Sequence, residues 1–205
     1  MRAALLCWLA AAALCASASV ASAAASSDTR IVYLVRHGEA FKNTISGKAA
    51  DDPRYDRLTD QGRQQAMAAA ARLQGARLHS VVSAPEARTR DTALAITLRN
   101  LLPGASVDGA LTSKAFDGES AEQRAARGSA AVRRYLASTR GDVAVVSHGH
   151  IIHMTATTLT GGALTPDVVK NELVNGGIVK LAVTGLGTAS ERWTKLSSDG
   201  LVRDD

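Results

Sequence analysis

Residues 31–39 read IVYLVRHGE, an apolar run that ends in charged residues. Residues 31–35 are rich in β-branched side chains, which is typical of a strand buried on both faces. The run stops at Arg36 and His37, so a guanidinium and an imidazole stand where the predicted strand ends. In open α/β sheets, ligands bind beyond the carboxyl ends of the strands. We therefore expect a functional site at this position.

Apolar runs alternate with helical patterns along the rest of the chain. Further strands are predicted at residues 81–83, 143–146, 178–183 and, as the last one, roughly 190–196. Helices are predicted at about residues 60–73, 85–102, 119–137 and 151–159, and residues 40–57 are predicted to form a long loop. This alternation predicts an α/β fold, a three-layer sandwich with a mainly parallel central sheet and helices on both faces.

Three loops leave the carboxyl ends of predicted strands, and each carries cationic or imidazole side chains. Arg36 and His37 follow the first strand, Arg88 lies just after the second, and His148 follows a later one. Guanidinium groups bind phosphate oxygens bidentately, and a neutral imidazole can accept a phosphoryl group as a nucleophile. The combination predicts phosphoryl transfer without a metal ion.

The chain resembles the histidine phosphatase superfamily in four motifs that follow one another in the family's order. They read VRHGE at residues 35–39, LTDQGRQQA at 58–66, SAPEARTRDTA at 83–93 and VVSHGH at 145–150. Together they extend over most of the predicted domain, and the family's α/β fold agrees with the alternation of strands and helices.

The resemblance implies a role for each matched residue. His37 would be the phosphorylated nucleophile, and the residues that bind the phosphoryl oxygens would be Arg36, Arg88 and His148. The residues assigned to substrate binding would be Asn43, Ser83 and His150. The resemblance implies no cofactor.

The sequence departs from this family at the proton donor. Many members carry a glutamate in a Leu-x-Glu-x-x-x-Gly segment, and Ser113 stands at the corresponding position. A serine hydroxyl cannot protonate a leaving group as a carboxylic acid does. Asp117 and Glu119 are the two alternative acids nearby. If neither acts, we expect the rate to rise steeply as the pKa of the leaving group falls.

The first 23 residues have the pattern of an export signal. Arg2 precedes an apolar run over residues 3–13, and small residues follow in an Ala-x-Ala pattern that ends at Ala23. The apolar run is shorter than the roughly 20 residues that span a bilayer, so a cleaved signal is favoured over an anchor. We expect residues 1–23 to be removed, residues 24–205 to form one domain, and the product to be periplasmic or secreted without a stable membrane anchor.

Composition and charge argue against several functional classes. The formal net charge is +5 at pH 7, but the basic residues are scattered and aromatic residues make up only 3% of the chain. A nucleic-acid surface needs a basic stripe with aromatic stacking platforms, so we expect no nucleic-acid partner. Both cysteines, Cys7 and Cys15, lie in the predicted signal, which leaves the predicted domain without a disulfide or a thiol nucleophile. The expected partner is a small phosphorylated substrate.

Two other functions fit the same residues. His148, His150 and His153 resemble part of the His-x-His-x-Asp-His motif of metallo-β-lactamase-like hydrolases, and three imidazoles can bind zinc. Ile152 stands where that motif has its aspartate, which argues against a complete site. The other alternative is an envelope protein on the same scaffold that binds phosphate or a phosphosugar without turnover.

Overall fold

The computed structural model describes residues 29–44 and 52–203. The predicted export signal, residues 1–23, and residues 45–51 of the predicted long loop lie outside the described residues. The strands are β1 Arg30–Arg36, β2 Leu78–Ser83, β3 Ala105–Val107, β4 Asp142–Ser147, β5 Asn171–Leu173, β6 Ile178–Thr184, β7 Arg192–Ser198 and β8 Leu201–Arg203. The helices are α1 Phe41–Thr44, α2 Asp60–Arg72, α3 Ala87–Arg99, α4 Ala121–Ala137, α5 Gly149–Leu159 and α6 Pro166–Lys170, with a 3-10 turn at Gly109–Leu111.

The central sheet has six strands in the order β3-β2-β4-β1-β6-β7. Strands β3, β2, β4 and β1 run parallel, while β6 pairs antiparallel with β1 and β7 antiparallel with β6. β5 and β8 form a separate antiparallel pair. The prediction of a mainly parallel sheet is therefore confirmed. Because β1, β2 and β4 are parallel, the loops that follow them leave the same edge of the sheet.

Helices cover both faces of this sheet, as predicted. On one face, Val32 of β1 packs in a buried cluster with Leu136 of α4 and Ile152 of α5. On the other face, Val35 packs with side chains of α2 and α3 that include Ile96. Alternation along β1 places its apolar side chains on both faces, which explains the continuous apolar run of its sequence.

Local capping explains where two of the helices begin. The hydroxyl of Thr59 accepts a hydrogen bond from the backbone N–H of Gly62 at the start of α2. Ser120 and Gln123 form a reciprocal capping box at the start of α4, so this helix begins two residues later than expected.

Other predicted boundaries need correction. Residues 190–196 were expected to hold the last strand, but β7 is followed by β8, which pairs with β5. The expected loop over residues 40–57 contains α1 and a bridge between Ala40 and Leu58. α5 begins at Gly149 rather than near residue 151, and α6 and β5 were not predicted. Within the part of the chain that the structure describes, no helix has the length and apolar character to cross a bilayer.

Candidate active site

Three segments meet at the carboxyl ends of β1, β2 and β4. His37 follows β1, Arg88 lies in the first turn of α3, and His148 precedes α5 as its N-cap residue. Arg88 connects the two histidines, because its Nε donates to Nε2 of His37 over 3.1 Å and its Nη2 donates to Nδ1 of His148 over 3.0 Å. The two rings meet edge to face with their centroids 5.2 Å apart. The three side chains thus form one buried cluster, as the sequence predicted.

The hydrogen bonds of His37 define which of its nitrogens can react. Nδ1 lies 2.7 Å from the carbonyl oxygen of Gly38 and donates to it, because a carbonyl oxygen can only accept. Nε2 accepts from Arg88 and therefore carries the lone pair. Burial, followed by the charges of His148, Arg88 and Arg36, holds the pKa of His37 well below its usual value. His37 is a neutral imidazole at neutral pH, with Nε2 as its nucleophilic atom.

The loop that carries His37 packs directly on the first turn of α2. A Cβ on Gly38 would lie 2.1 Å from the carbonyl oxygen of Gly62, and one on Gly62 would lie 1.9 Å from that of Glu39. Neither contact is tolerable, so both positions require glycine. The hydroxyl of Thr92 on α3 accepts from the Gly38 N–H over 3.1 Å. Glycines from two of the sequence motifs thus hold His37 in place.

Arg36 is anchored by the small two-stranded sheet. Its guanidinium donates to the carbonyl oxygen of Leu173 and forms a buried salt bridge with Glu172, both on β5. Glu172 also lies 3.1 Å from Nδ1 of His150. Burial acts to raise the pKa of Glu172, but the hydrogen bond with His150 and the charge of Arg36 outweigh it and lower the pKa. One carboxylate therefore orients two of the predicted site residues.

Two further carboxylates hold the other side of the cluster. Asp56 forms an ion pair with Arg88. Glu86, the N-cap residue of α3, lies 3.0 Å from Nε2 of His148 and accepts a hydrogen bond from the hydroxyl of Thr112. Burial acts to raise the pKa of Glu86, but hydrogen bonds from His148 and Thr112 outweigh it and lower the pKa to about 2. Burial and the charge of Arg88 outweigh Glu86 at His148, whose pKa falls to about 4.

The cluster of His37, Arg88 and His148 lines a mainly polar cleft of about 520 Å³. Of the residues predicted for catalysis or substrate binding, the cleft brings together Arg36, His37, Asn43, Arg88, His148 and His150. It also contains Glu39, Lys42, Gln61, Gln65, Ser113, Glu172 and Asn175. A larger groove of about 790 Å³ between α2 and α3 is mainly apolar and shares no lining residue with the cleft. That groove therefore lies apart from the histidine cluster.

Ser83 does not line the cleft, contrary to the sequence prediction. Its side chain is fully buried, and it lines a separate cavity with Arg90 and Asp91 of α3. Side chains alternate along a strand, so Ser83 faces the same side of the sheet as Val81, towards α2 and α3. Its placement does not support a role in substrate binding.

The two predicted alternative acids also lie outside the cleft. Asp117 is exposed, and Glu119 forms a salt bridge with Arg127 of α4, with its carboxylate 2.7 Å from Nε and 2.9 Å from Nη2. This pair fastens the loop before α4 to the helix itself. Ser113, which stands at the family's acid position, does line the cleft. Ser113, the position at which the sequence departs from the family, therefore lies in the cleft. The two alternative acids, Asp117 and Glu119, do not.

The three imidazoles of the zinc hypothesis do not converge. His148 and His150 bind different carboxylates, and Nδ1 of His153 binds the carbonyl oxygen of Asn171 over 3.2 Å. Across residues 29–44 and 52–203, no group of three or more His, Cys, Asp or Glu side chains is arranged to hold a metal ion. The described residues thus offer this hypothesis no site.

Sequence reasoning missed four charged residues of the site, namely Lys42, Asp56, Glu86 and Glu172. Glu86 is 62 positions before its partner His148, and Glu172 lies in a segment for which no element was predicted. Glu86 lies in the same motif as Arg88, but nothing in that motif identifies His148 as its partner. Lys42 gave no comparable signal, since a single lysine in a predicted loop is usually solvated.

Comparison with known proteins agrees with this geometry. A family model described as the histidine phosphatase superfamily (branch 1) matches residues 32–109 and 103–195. A search of curated protein sequences gave no significant match. Solved structures with the same fold include a mycobacterial hydrolase, with 22% identity and a TM-score of 0.69 over 85% of this chain and 100% of that chain.

Two further structures are named for specific phosphatases. A mycobacterial glucosyl-3-phosphoglycerate phosphatase with VO3 has 22% identity and a TM-score of 0.68 over 83% of this chain and 99% of its own. A phosphoserine phosphatase from Entamoeba histolytica, in complex with 3-phosphoglyceric acid, has 20% identity and a TM-score of 0.59 over 83% of this chain and 97% of its own. At these identities the likeness shows the fold alone. The family match covers most of the chain, which therefore belongs to the histidine phosphatase superfamily (branch 1).

Proposed function

We propose that this protein is an exported phosphomonoesterase that hydrolyses phosphate esters through a phosphohistidine intermediate on His37. The observation that carries the proposal is the state of His37, a buried neutral imidazole whose Nε2 lone pair faces the Arg88 guanidinium. Membership of the histidine phosphatase superfamily supports the same reaction.

The reaction would proceed in two displacements. In the first, Nε2 of His37 attacks phosphorus, the bond from phosphorus to the leaving oxygen breaks, and that oxygen takes up a proton. In the second, water attacks phosphorus and breaks its bond to Nε2, which releases inorganic phosphate and restores His37. Arg36 and Arg88 would bind the phosphoryl oxygens and offset charge in the transition state. Carboxylates already orient both guanidinium groups, which limits the reorganisation that catalysis requires.

The cleft suits a small phosphorylated molecule with a polar remainder. Lys42 is half-buried in the cleft, and within the described residues its ammonium makes no hydrogen bond or ion pair. The side-chain oxygen of Asn175 is buried there without a hydrogen-bond partner among the same residues. A substrate with hydroxyl groups and a second anionic group would satisfy both. One structural relative, named a glucosyl-3-phosphoglycerate phosphatase, points to the same class of molecule.

The test compares two histidine variants with the wild type on p-nitrophenyl phosphate and a panel of phosphosugars, nucleotides and phosphoproteins. His37→Asn should lower kcat/KM by about 10³-fold or more, because it removes the nucleophile. His79→Asn, at an exposed position outside the cleft, is the matched control and should change kcat/KM less than about twofold. If His37→Asn keeps more than about a tenth of wild-type activity, the covalent mechanism is wrong.

The same panel distinguishes the non-catalytic alternative. A protein that binds inorganic phosphate in the cleft but hydrolyses no member of the panel would be a phosphate- or phosphosugar-binding protein on a phosphatase scaffold. Turnover of any member that depends on His37 would exclude that alternative.

Export is part of the proposal and has its own test. When the full chain is expressed in bacteria, we expect the protein recovered from the periplasm or medium to begin at Ala24. Recovery of the protein only inside cells, with Met1 or the residue after it at the N-terminus, would contradict export. That outcome would leave the proposed chemistry untouched.

A further inference from the structure

The proposed reaction needs a proton at the leaving oxygen, and no obvious acid supplies it. Ser113 occupies the family's acid position. Among the described residues, the carboxyl groups that line the cleft belong to Glu39 and Glu172. Glu39 accepts a hydrogen bond from the hydroxyl of Thr59 over 2.7 Å, and Glu172 is ionised, paired with Arg36 and hydrogen-bonded to His150. Both serve as acceptors, so neither is placed to protonate a leaving group.

We propose that His148 donates this proton and that Glu86 is the positioning residue that enables it, an inference that rests on the proposed phosphatase function. A neutral His148 that accepts from Arg88 at Nδ1 must carry its hydrogen on Nε2, 3.0 Å from the carboxylate of Glu86. Nδ1 therefore faces the side of the ring where Arg88 and His37 meet. A proton on Nδ1 would point to the position that Nη2 of Arg88 holds in the free protein, 3.0 Å away, which Arg88 leaves when it turns to bind the phosphoryl oxygens in the proposed reaction.

Proton and bond changes balance without another reactant. As the bond from phosphorus to the leaving oxygen breaks, the Nδ1 proton of the His148 imidazolium moves to that oxygen and forms the alcohol. Neutral His148 then takes a proton from the water that attacks the phosphohistidine, which restores the imidazolium. Glu86 stays ionised throughout and stabilises the imidazolium as the carboxylate of a Ser-His-Asp triad does.

The charges around His148 show why Glu86 is needed. Arg88 and His150 disfavour the imidazolium, and the ring of His37 lies beside it, whereas Glu86 favours it. In the free protein His148 has a pKa of about 4, so a bound phosphate dianion must raise it further. Removal of the Glu86 charge takes away the carboxylate that is hydrogen-bonded to the imidazolium and leaves Glu172 and the bound dianion as the other negative groups near it.

Thr112 connects Glu86 to the loop in which Ser113 stands at the family's acid position. Its buried side chain donates to the second oxygen of Glu86, and it is the residue just before Ser113. The segment that would present a glutamate to the leaving group in other family members instead holds the partner of His148. In this arrangement the carboxylate lies behind an imidazole instead of in contact with the substrate.

The experiment compares esters whose leaving groups differ in pKa, because a proton donor makes the rate of ester cleavage less dependent on that pKa. We would measure kcat/KM, which reports steps up to cleavage of the ester, for p-nitrophenyl phosphate and for alkyl phosphates. Wild type should show a shallow dependence on leaving-group pKa. Glu86→Gln should lose about 10²-fold on alkyl esters but less than about fivefold on p-nitrophenyl phosphate, whose leaving group needs no proton. The descending limb of its pH profile of kcat on alkyl esters, which reports the enzyme–substrate complex, should move to lower pH by about one unit or more.

Two further variants distinguish a specific effect of Glu86 from a general loss of activity. Thr112→Val removes one hydroxyl from Glu86 and should give the same selective loss at smaller size. Glu119→Gln, a carboxylate outside the cleft, is the matched control and should change both substrates equally and little. Glu86→Gln could instead lose the same factor on aryl and alkyl esters, and Thr112→Val could show no preference between them. These two results together would overturn the proposed role of His148 and Glu86. Phosphohistidine that still forms from p-nitrophenyl phosphate in Glu86→Gln would show that the proposed function itself had not failed.

Discussion

Replacement of Arg88 by methionine tests the centre of the proposed site. The guanidinium directs Nε and Nη2 to the two histidines and a third N–H to Asp56. Methionine keeps an apolar side chain of similar length but none of these donors. Arginines that bind a transferred phosphoryl group contribute about 10³–10⁵ to the rate, so we expect kcat/KM of Arg88→Met on p-nitrophenyl phosphate to fall by that factor.

The same variant should change the pH profile and, less strongly, stability. The charge of Arg88 is one cause of the low pKa of both His37 and His148, so its loss raises both pKa values. The ascending limb of kcat/KM, which follows loss of the proton from His37, should move to higher pH. Asp56 is 40% exposed and can hydrate once unpaired, so the free energy of unfolding should fall only about 1–3 kcal/mol in urea titrations.

The control is Arg90→Met, because Arg90 lies on the same helix but is exposed and outside the cleft. It should change kcat/KM less than about twofold and leave the pH limb where it is. A loss below about tenfold in Arg88→Met, or an ascending limb that does not move, would refute the assignment of Arg88 to the phosphoryl group.

Three further outcomes are expected. Lys42→Gln should raise KM for the natural class of substrate about tenfold or more with little change in kcat, because it removes a charge-assisted hydrogen bond to the substrate; an unchanged KM would contradict this. Activity should survive exhaustive dialysis against a chelator, and a protein that is inactivated and then revived by zinc would restore the metal hypothesis. The unfolding midpoint in urea should fall as pH drops from about 6.5 to about 4, because His148 with its low folded pKa binds fewer protons than in the unfolded chain; a midpoint that stays constant or rises would contradict this.

The sequence predicted those strands that are buried along most of their length. β1 and β4 are buried strands, and their apolar runs needed no tertiary information to be recognised. β5 and β8 are three residues each and pair only with one another, so no local pattern distinguishes them from loop. The start of α5 was also missed, because Gly149 and His150 follow a buried strand and do not look like the first turn of a helix.

Part of the cleft could be predicted from the sequence, because the carboxyl ends of parallel strands lie at the same edge of the sheet. His37, Arg88 and His148 could be predicted to meet for that reason. The carboxylates that orient them could not, because Glu86 and Glu172 act through partners far away in the chain. If His148 and Glu86 act as proposed, the dependence on leaving-group pKa is shallow, whereas Ser113 alone predicts a steep one.

His37 should carry the phosphoryl group during turnover, and acid-free mass spectrometry of the quenched enzyme detects that group at its site of attachment. The wild-type protein would be mixed briefly with substrate, denatured in base, digested and mapped. We expect one phosphoryl group on the peptide that contains His37, stable in base and lost in acid, and none in His37→Asn. Turnover with His37 unmodified, or with the phosphoryl group on His148 instead, would contradict it.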